Sequence, residues 1–309
     1  MRLLLKLVVA LAALVVWLVV LLAVSSFVFN IATGGEGKPV QALWHGRFVH
    51  ADGVLTAYRE WGSRGSPIVL IGGFIEPSFV WNDVGPLLAR NHRVYALDLD
   101  GFGYSARRGP WTLKEWGDQV QDFMRKLHIT KPIVVGHSLG AAVAVAVAQR
   151  GLTARIVLLD GDALATGGAP SLVRDVIAHT PFVTTGLRLA TRWNWPAKQV
   201  LLRAYGPTHP PITDARIDRW TRPFDAQGAD RAIVTLASRQ IAGFSRPELQ
   251  SLHLKATVVW GDRDGVDSLA AGRQTASDLK APLVLIHGAG HLTMLTDPVA
   301  VAHAIERIP

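Results

Sequence analysis

The residues best placed to do chemistry are Gly136-His137-Ser138-Leu139-Gly140, which close the apolar run Pro132 to Val135 and open an Ala/Val-rich segment from Ala141 to Gln149. That order predicts a strand, a sharp turn and a helix. The central serine is then thrust clear of the strand in a strained backbone conformation, and only small residues two positions to either side avoid a clash. Gly136 and Gly140 fill those two places. A serine hydroxyl is a poor nucleophile at neutral pH until an imidazole takes its proton, and that imidazole needs a carboxylate to fix its tautomer and stabilise its charge. A packing turn shares the five-residue pattern, so the rest of the chain has to supply these partners.

In the chain order nucleophile, acid, histidine, both partners lie downstream. The run Ala256 to Trp260 leads into Gly261-Asp262-Arg263-Asp264, and Pro282 to Ile286 leads into His287-Gly288-Ala289-Gly290-His291. Asp264 is the leading acid. Asp262 and Asp267 compete with it, and Asp160 or Asp162, after the strand Arg155 to Leu159, offers a different strand end. His287 continues an apolar run and reads as structural, whereas His291 follows two glycines in a loop and reads as the base. A tetrahedral intermediate also needs two backbone N–H donors, one from the residue after the nucleophile and one from the loop after an early strand. Leu139 supplies the first, and Phe74, after Pro67 to Ile71 and Gly72-Gly73, is placed for the second.

With these pieces in order, residues from about Trp44 to Pro309 resemble the α/β-hydrolase superfamily, in its lipase- and esterase-like branch with an inserted cap. Gly136 to Gly140, Trp260 to Asp264, Gly288 to His291 with Asp297-Pro298, and Asp98-Leu99-Asp100-Gly101-Phe102-Gly103-Tyr104-Ser105 carry the resemblance. It implies an α/β fold, a mostly parallel central sheet flanked by helices, with a helical cap insertion. It further implies Ser138 as nucleophile, His291 as base, Asp264 as its orienting acid, and Phe74 and Leu139 as oxyanion donors. Two positions depart from the pattern. Relatives carry His-Gly where this chain has Gly72-Gly73, which removes a supporting hydrogen bond from that loop, and Glu76 adds a charge just beyond. Asp-x-Pro-Gly is replaced by Asp98-Leu99-Asp100-Gly101. Ser138 at the turn excludes the aspartate-nucleophile chemistries of haloalkane dehalogenases and epoxide hydrolases. The Gly101-x-Gly103-x-x-Ala106 spacing is no dinucleotide site, because Arg107-Arg108-Gly109-Pro110 breaks the helix that such a site needs.

Stepping outward, the elements that position these residues alternate apolar strands with helical segments, at Ile68 to Ile71, Val94 to Asp98, Ile133 to Val135, Ile156 to Leu159, Thr257 to Trp260 and Leu283 to Ile286. A hairpin around Asp52-Gly53 precedes them. The rhythm stops near Asp162 and resumes near Leu252, and the intervening proline-rich stretch, with Trp193, Trp195 and Trp220, reads as a helical cap over residues 162–250. Its aromatic residues suggest a hydrophobic substrate pocket, or the cap's own core. The catalytic core then comprises 44–161 and 251–309.

Residues 1–29 carry no charge from Leu7 through Phe29, a span of about 34 Å as a helix. A hydrocarbon core is roughly 30 Å thick, so this segment reads as an uncleaved signal anchor in preference to a cleaved signal peptide of a secreted protein. Arg2 and Lys6 would hold the N-terminus inside and leave the catalytic domain outside. Residues 30–43, with Gly34, Gly35, Gly37 and Pro39, read as a flexible linker.

The chain has 309 residues, no cysteine and a net charge of +8, which falls to +6 without Arg2 and Lys6. Disulfides and thiolate metal sites are excluded. The arginines are scattered, so a mild attraction to anionic lipid headgroups is expected and nucleic-acid binding is not. The eleven histidines show no metal-ligand spacing, and the serine-based site calls for no metal or cofactor. The expected function is a membrane-anchored serine hydrolase that cleaves ester or acyl bonds of an apolar, lipid-like substrate through an acyl-enzyme. The alternatives are C–C bond hydrolysis or cofactor-free haloperoxidation on the same triad, or a non-catalytic membrane-tethered binding protein. Oligomeric state is not legible in the sequence.

Overall fold

The computed structural model describes residues 2–33, 37–165, 181–239, 243–253 and 255–307. Residues 166–180 of the expected cap, with Pro170, and Gly34 and Gly35 of the expected linker lie outside the described residues. The chain begins with helix α1 (Arg2–Thr33) and the short α2 (Val40–Leu43), then the strands β1 (Arg47–Ala51), β2 (Val54–Trp61) and β3 (Pro67–Ile71). Helix α3 (Val84–Leu88), β4 (Arg93–Leu97), α4 (Leu113–Lys126), β5 (Ile133–His137), α5 (Leu139–Ala148) and β6 (Arg155–Leu159) follow. The cap contributes α6 (Pro181–Arg192), α7 (Asn194–Tyr205), α8 (Asp214–Thr221), α9 (Ala229–Ser238) and α10 (Arg246–Ser251). The core closes with β7 (Ala256–Gly261), α11 (Leu269–Asp278), β8 (Leu283–Ile286), α12 (Thr293–Thr296) and α13 (Pro298–Glu306).

Eight strands form one sheet in the order β1-β2-β4-β3-β5-β6-β7-β8. The expected hairpin is present. β1 and β2 pair antiparallel with Ala51 opposite Val54, and Asp52 and Gly53 both take positive φ, 47° and 72°, the geometry that matches a two-residue turn to strand twist. From β4 onward neighbouring strands run parallel. Every residue of β3, β5, β6 and β7 is buried, as a sheet covered on both faces demands. Side chains alternate between two cores. Val69, Ile71, Val134 and Leu158 pack with Trp116, Val120 and Phe123 of α4 and the alanines of α5 on one face. Ile68, Leu70, Val135 and Leu159 pack with Val84, Leu88, Val301 and Ile305 on the other. Crossover connections on both faces bring the carboxyl ends of β3, β5, β6, β7 and β8 to one edge, where ligands sit in open α/β sheets.

Three expectations change. Helix α1 runs through Asn30 to Thr33 rather than stopping at Phe29, because Ser26, Asn30 and Thr33, one stripe at i, i+4 and i+7, bond to α6 and extend the helix by tertiary contact. The segment read as a flexible linker is tied down. Lys38 bridges to Ala226 of the cap, and Val40 and Leu43 are buried against Tyr104. The cap tryptophans do not act as a set. Trp193 and Trp195, at the junction of α6 and α7, are 62% and 71% exposed, and only Trp220 packs on the core, edge-on to Phe79 at 5.1 Å. A Leu164–Phe244 bridge forms the neck where the chain enters and leaves the cap.

Helix α1 is long and apolar enough to cross a membrane, with a mean hydropathy of 3.2 in an 18-residue window of Leu4–Thr33 and no burial of that window.

Candidate active site

Ser138 links β5 to α5 with φ 52° and ψ −121°, a conformation costly for any residue with a Cβ. The surroundings over-determine it. Ser138 N–H donates to the Leu159 carbonyl at 2.9 Å, and the Ser138 carbonyl accepts from Ala141 at 2.9 Å. A Cβ at Gly136 would lie 2.0 Å from the Gly140 carbonyl oxygen, one at Gly161 would lie 2.4 Å from the Ser138 carbonyl oxygen, and one at Gly73 would lie 2.8 Å from the Ser138 Cβ. These approaches explain why the turn is glycine-flanked and show that the loop after β3 abuts the serine.

His291 and Asp264 meet, with Nδ1 2.8 Å from Asp264 Oδ2, the imidazole 7% exposed and the carboxylate wholly buried. The other carboxylate oxygen, Oδ1, accepts backbone N–H groups from Val266 at 2.8 Å and Asp267 at 3.0 Å. A carboxylate so held faces the ring at a fixed angle. The loop that carries His291 is pinned by the cap, since His291 N–H donates to the Ala204 carbonyl near the end of α7 at 2.8 Å. Gly290 is needed there, as a Cβ would fall 2.3 Å from the Tyr205 carbonyl oxygen. The ring of His137, the residue before Ser138, sits 4.8 Å from the ring of His291.

The competing acids lie elsewhere. Asp262 Oδ2 is 3.0 Å from Nδ1 of His287, whose side chain is 83% exposed, and that bond together with the Gly288 N–H holds its carboxyl below the usual range. His287 is therefore a surface partner of Asp262 rather than a buried core histidine. Asp162 caps the Leu164 N–H. Asp267 is pushed up by burial, with its own N–H given to Asp264. Asp160 is buried, accepts from Gly261 N–H at 2.7 Å and from the Thr293 hydroxyl, and is pushed up by burial to about 7.

The loop after β3, where an oxyanion donor is expected, holds a feature that sequence reading missed. Glu76 is buried and its Oε2 accepts the Gly73 N–H at 2.7 Å, so the support that the missing histidine would have given comes from a carboxylate three residues on. The same oxygen lies 2.7 Å from Nδ1 of His137, itself fully buried. An ionisable residue between Gly136 and Ser138, in a strand otherwise apolar, was the available signal. Phe74 packs edge-on to Phe102 at 5.5 Å, which fixes the residue expected to donate one N–H, while Leu139 opens α5. Among the described residues no group of three or more His, Asp or Glu is arranged to hold a metal ion.

The profile of the alpha/beta hydrolase family matches residues 68–304. An uncharacterized hydrolase of Bacillus subtilis, YugF, is 24% identical over 82% of this chain and 94% of its own. Among solved structures, a bacterial membrane phospholipase A superposes with a TM-score of 0.67 and 24% identity, covering 94% of this chain and 96% of that one. A meta-cleavage product hydrolase from Pseudomonas fluorescens IP01 superposes with a TM-score of 0.64 and 24% identity, covering 84% of this chain and 97% of that one. With a family match over most of its length and an eight-stranded, mostly parallel sheet ending in this loop cluster, the chain belongs to the alpha/beta hydrolase family.

Proposed function

We propose that the protein is a membrane-anchored serine hydrolase that cleaves carboxylic ester or acyl bonds of apolar, lipid-like substrates. The observation that carries this reading is the buried His291–Asp264 bond of 2.8 Å, joined through the ring of His137 to the strand-to-helix turn that holds Ser138 at positive φ. The proposed course begins with attack by Ser138 Oγ on the substrate carbonyl as His291 takes its proton. Asp264 stabilises the imidazolium, and the N–H groups of Phe74 and Leu139 receive the oxyanion. His291 then returns the proton to the leaving group, and water, activated by the same imidazole, releases the acyl group from the serine.

The seam between core and cap, one residue beyond Phe74, is lined by Ile75, Phe102, Trp220, Phe224 and Ile233 and by the charged Arg107, and its cavity of about 10 Å³ is no larger than a water, so the apolar character of the substrate rests on the anchor and the structural neighbours. Anchoring is supported by the tertiary bonds of α1. Asn30 donates to the Pro181 carbonyl at 2.9 Å and its own carbonyl accepts the Arg188 guanidinium, which docks the last turns of the long apolar helix on the cap. With Ser26 onward bound to the cap, Leu7 to Ser25 remains for the bilayer, about 28 Å of helix against a core of roughly 30 Å. Arg2 and Lys6 then place the catalytic domain on the outer face. A phospholipase among the structural neighbours fits both the anchor and the bond class.

C–C bond hydrolysis on the same triad is the second reading, favoured by the meta-cleavage product hydrolase neighbour. One experiment tests both. The full-length protein in detergent is labelled with a fluorophosphonate and assayed on p-nitrophenyl esters of increasing chain length and on a vinylogous 1,5-diketone. The expected result is stoichiometric labelling and turnover of medium or long esters, both abolished by Ser138→Ala. Turnover of the diketone alone would replace the ester reading, and undiminished turnover in Ser138→Ala would refute the nucleophile.

A further inference from the structure

Behind the proposed triad lies a second buried array that the catalytic reading does not use. His137 and Glu76 are both buried, at 0% and 8% exposure. His137 Nε2 is 2.8 Å from the main-chain carbonyl oxygen of His291, and Nδ1 is 2.7 Å from Glu76 Oε2. A carbonyl oxygen only accepts, so Nε2 carries a proton. Glu76 Oε2 accepts the Gly73 N–H at 2.7 Å, and an ionised carboxylate, which these contacts favour, offers only acceptors, so Nδ1 is the donor. Both ring nitrogens donate, and the ring is an imidazolium paired with a carboxylate. We infer that the His137–Glu76 ion pair is a positioning device for the hydrolytic site, strapping the oxyanion loop after β3, the nucleophile turn after β5 and the backbone of the base His291 into one rigid unit.

The titratable groups that face His137 are consistent with this charge state. Glu76 lies on one side, Asp160 Oδ2 stands 3.9 Å from Nε2, the His291 ring lies 4.8 Å from the His137 ring, and Asp267 is further along the same cluster. Burial alone would strip the proton from His137, but the attraction and hydrogen bond of Glu76, with a smaller contribution from Asp160, raise it to about 9. Burial likewise opposes the Glu76 charge, and the His137 cation with the Gly73 N–H holds its carboxyl below the usual range. Asp160 extends the array to β7 and α12 through Gly261 and Thr293. Among the described residues neither strap side chain hydrogen-bonds the Ser138 hydroxyl or the His291 imidazole, although the His137 and His291 rings lie 4.8 Å apart. Its effect passes through Gly73, the residue before the proposed donor Phe74, and through the main chain of His291. With one partner per nitrogen, the ring joins two different loops of the proposed site while adjoining the third.

The inference rests on the serine-hydrolase reading, and one experiment separates the two. Full-length wild type, Glu76→Gln, His137→Gln and the double variant are titrated with a fluorophosphonate to count competent serines, then assayed for ester kcat and KM per titrated site and for inhibition by an alkyl boronic acid. A loop displaced by about 1 Å costs on the order of 100-fold, so each single variant should lose about that factor in kcat with KM within about 3-fold. Boronate affinity should fall by a factor matching the loss in kcat/KM. The double variant should be no worse than the poorer single one, because each single change leaves one buried charge without its partner. If a variant does not fold, imidazole N–H resonances of the wild type decide instead: two downfield His137 signals persisting above pH 8 are expected, and a single signal would overturn the strap. Single-variant kcat per titrated site within about 3-fold of wild type would also overturn it. A wild type that neither labels nor turns over ester would instead refute the hydrolase reading, and the strap with it.

Discussion

Replacing Asp264 by asparagine should change the tautomer of His291 without moving it. Asp264 Oδ1 accepts two backbone N–H groups, from Val266 and Asp267, and Oδ2 faces His291 Nδ1 at 2.8 Å. An amide at this position keeps its oxygen toward the two N–H groups, since its NH2 would meet them donor to donor. The NH2 therefore turns to the imidazole and demands an unprotonated Nδ1. The proton moves to Nε2, the nitrogen that has to accept from Ser138, and general-base action is lost while the buried geometry survives. By analogy with the same substitution in other serine hydrolases the loss in kcat is about 10⁴-fold, or about 5.5 kcal/mol in the barrier. The assay is p-nitrophenyl ester turnover of the full-length protein at neutral pH, with near-UV circular dichroism to show an intact fold and Asp262→Asn as the comparison. Among the described residues the Asp262 carboxylate meets only the exposed His287 and the Gly288 N–H, so its variant should stay within about 2-fold of wild type. An Asp264→Asn enzyme within 10-fold of wild type, or an equal loss in Asp262→Asn, would refute this assignment of the acid.

Two further outcomes follow from the same geometry. Gly136→Ala should unfold the nucleophile turn, because the new Cβ would sit 2.0 Å from the Gly140 carbonyl oxygen, a backbone atom that moves only if α5 unwinds; a cost of about 3 kcal/mol and loss of ester turnover are expected, and a melting temperature within 2 °C of wild type in an active protein would contradict it. Stability should fall as pH rises from about 6.5 to 9, since the folded state keeps the His137 proton to about 9 while the unfolded chain releases it near 6.5; the contribution is on the order of 3 kcal/mol, and thermal melts across this range should show the slope in wild type and a flatter one in Glu76→Gln.

The parts of the fold legible in the sequence are those that local pattern determines. The apolar runs from Ile68, Val94, Ile133, Ile156, Thr257 and Leu283 all became strands within one or two residues of their expected bounds, the first five because they are buried almost throughout and the last, half-buried at the sheet edge, because its run is equally unbroken. The Asp52-Gly53 turn was equally plain, since few residue pairs accept two positive φ angles in succession. What local pattern does not determine is contact between distant segments. Asn30 to Thr33 looks like the start of a tether, yet it is helical because Asn30 meets Pro181 and Arg188, some 150 residues away. Trp193 and Trp195 resemble core or pocket residues by type, but only the packing of α6 on α1 and the turn into α7 decide that they face outward.

The pairing of Asp264 with His291 was open to inference from motif order, whereas the pairing of Glu76 with His137 was not, and the reason is physical. A catalytic acid and base must occupy particular strand ends whatever the rest of the sequence does, so their chain positions are constrained by the reaction. A buried ion pair that only holds loops together can be built from any two segments that the fold brings within bonding distance, here 61 residues apart in sequence. Its trace in the sequence is indirect. The loop after β3 lacks the usual histidine, and a backbone N–H left bare in a buried turn costs more than its partner contributes when present, about 1 to 3 kcal/mol. Glu76 meets that need at Gly73, but a lone carboxylate buried there would be costlier still. A cation within reach offsets that cost, and the residue before the nucleophile supplies it, His137 Nδ1 lying 2.7 Å from Glu76 Oε2.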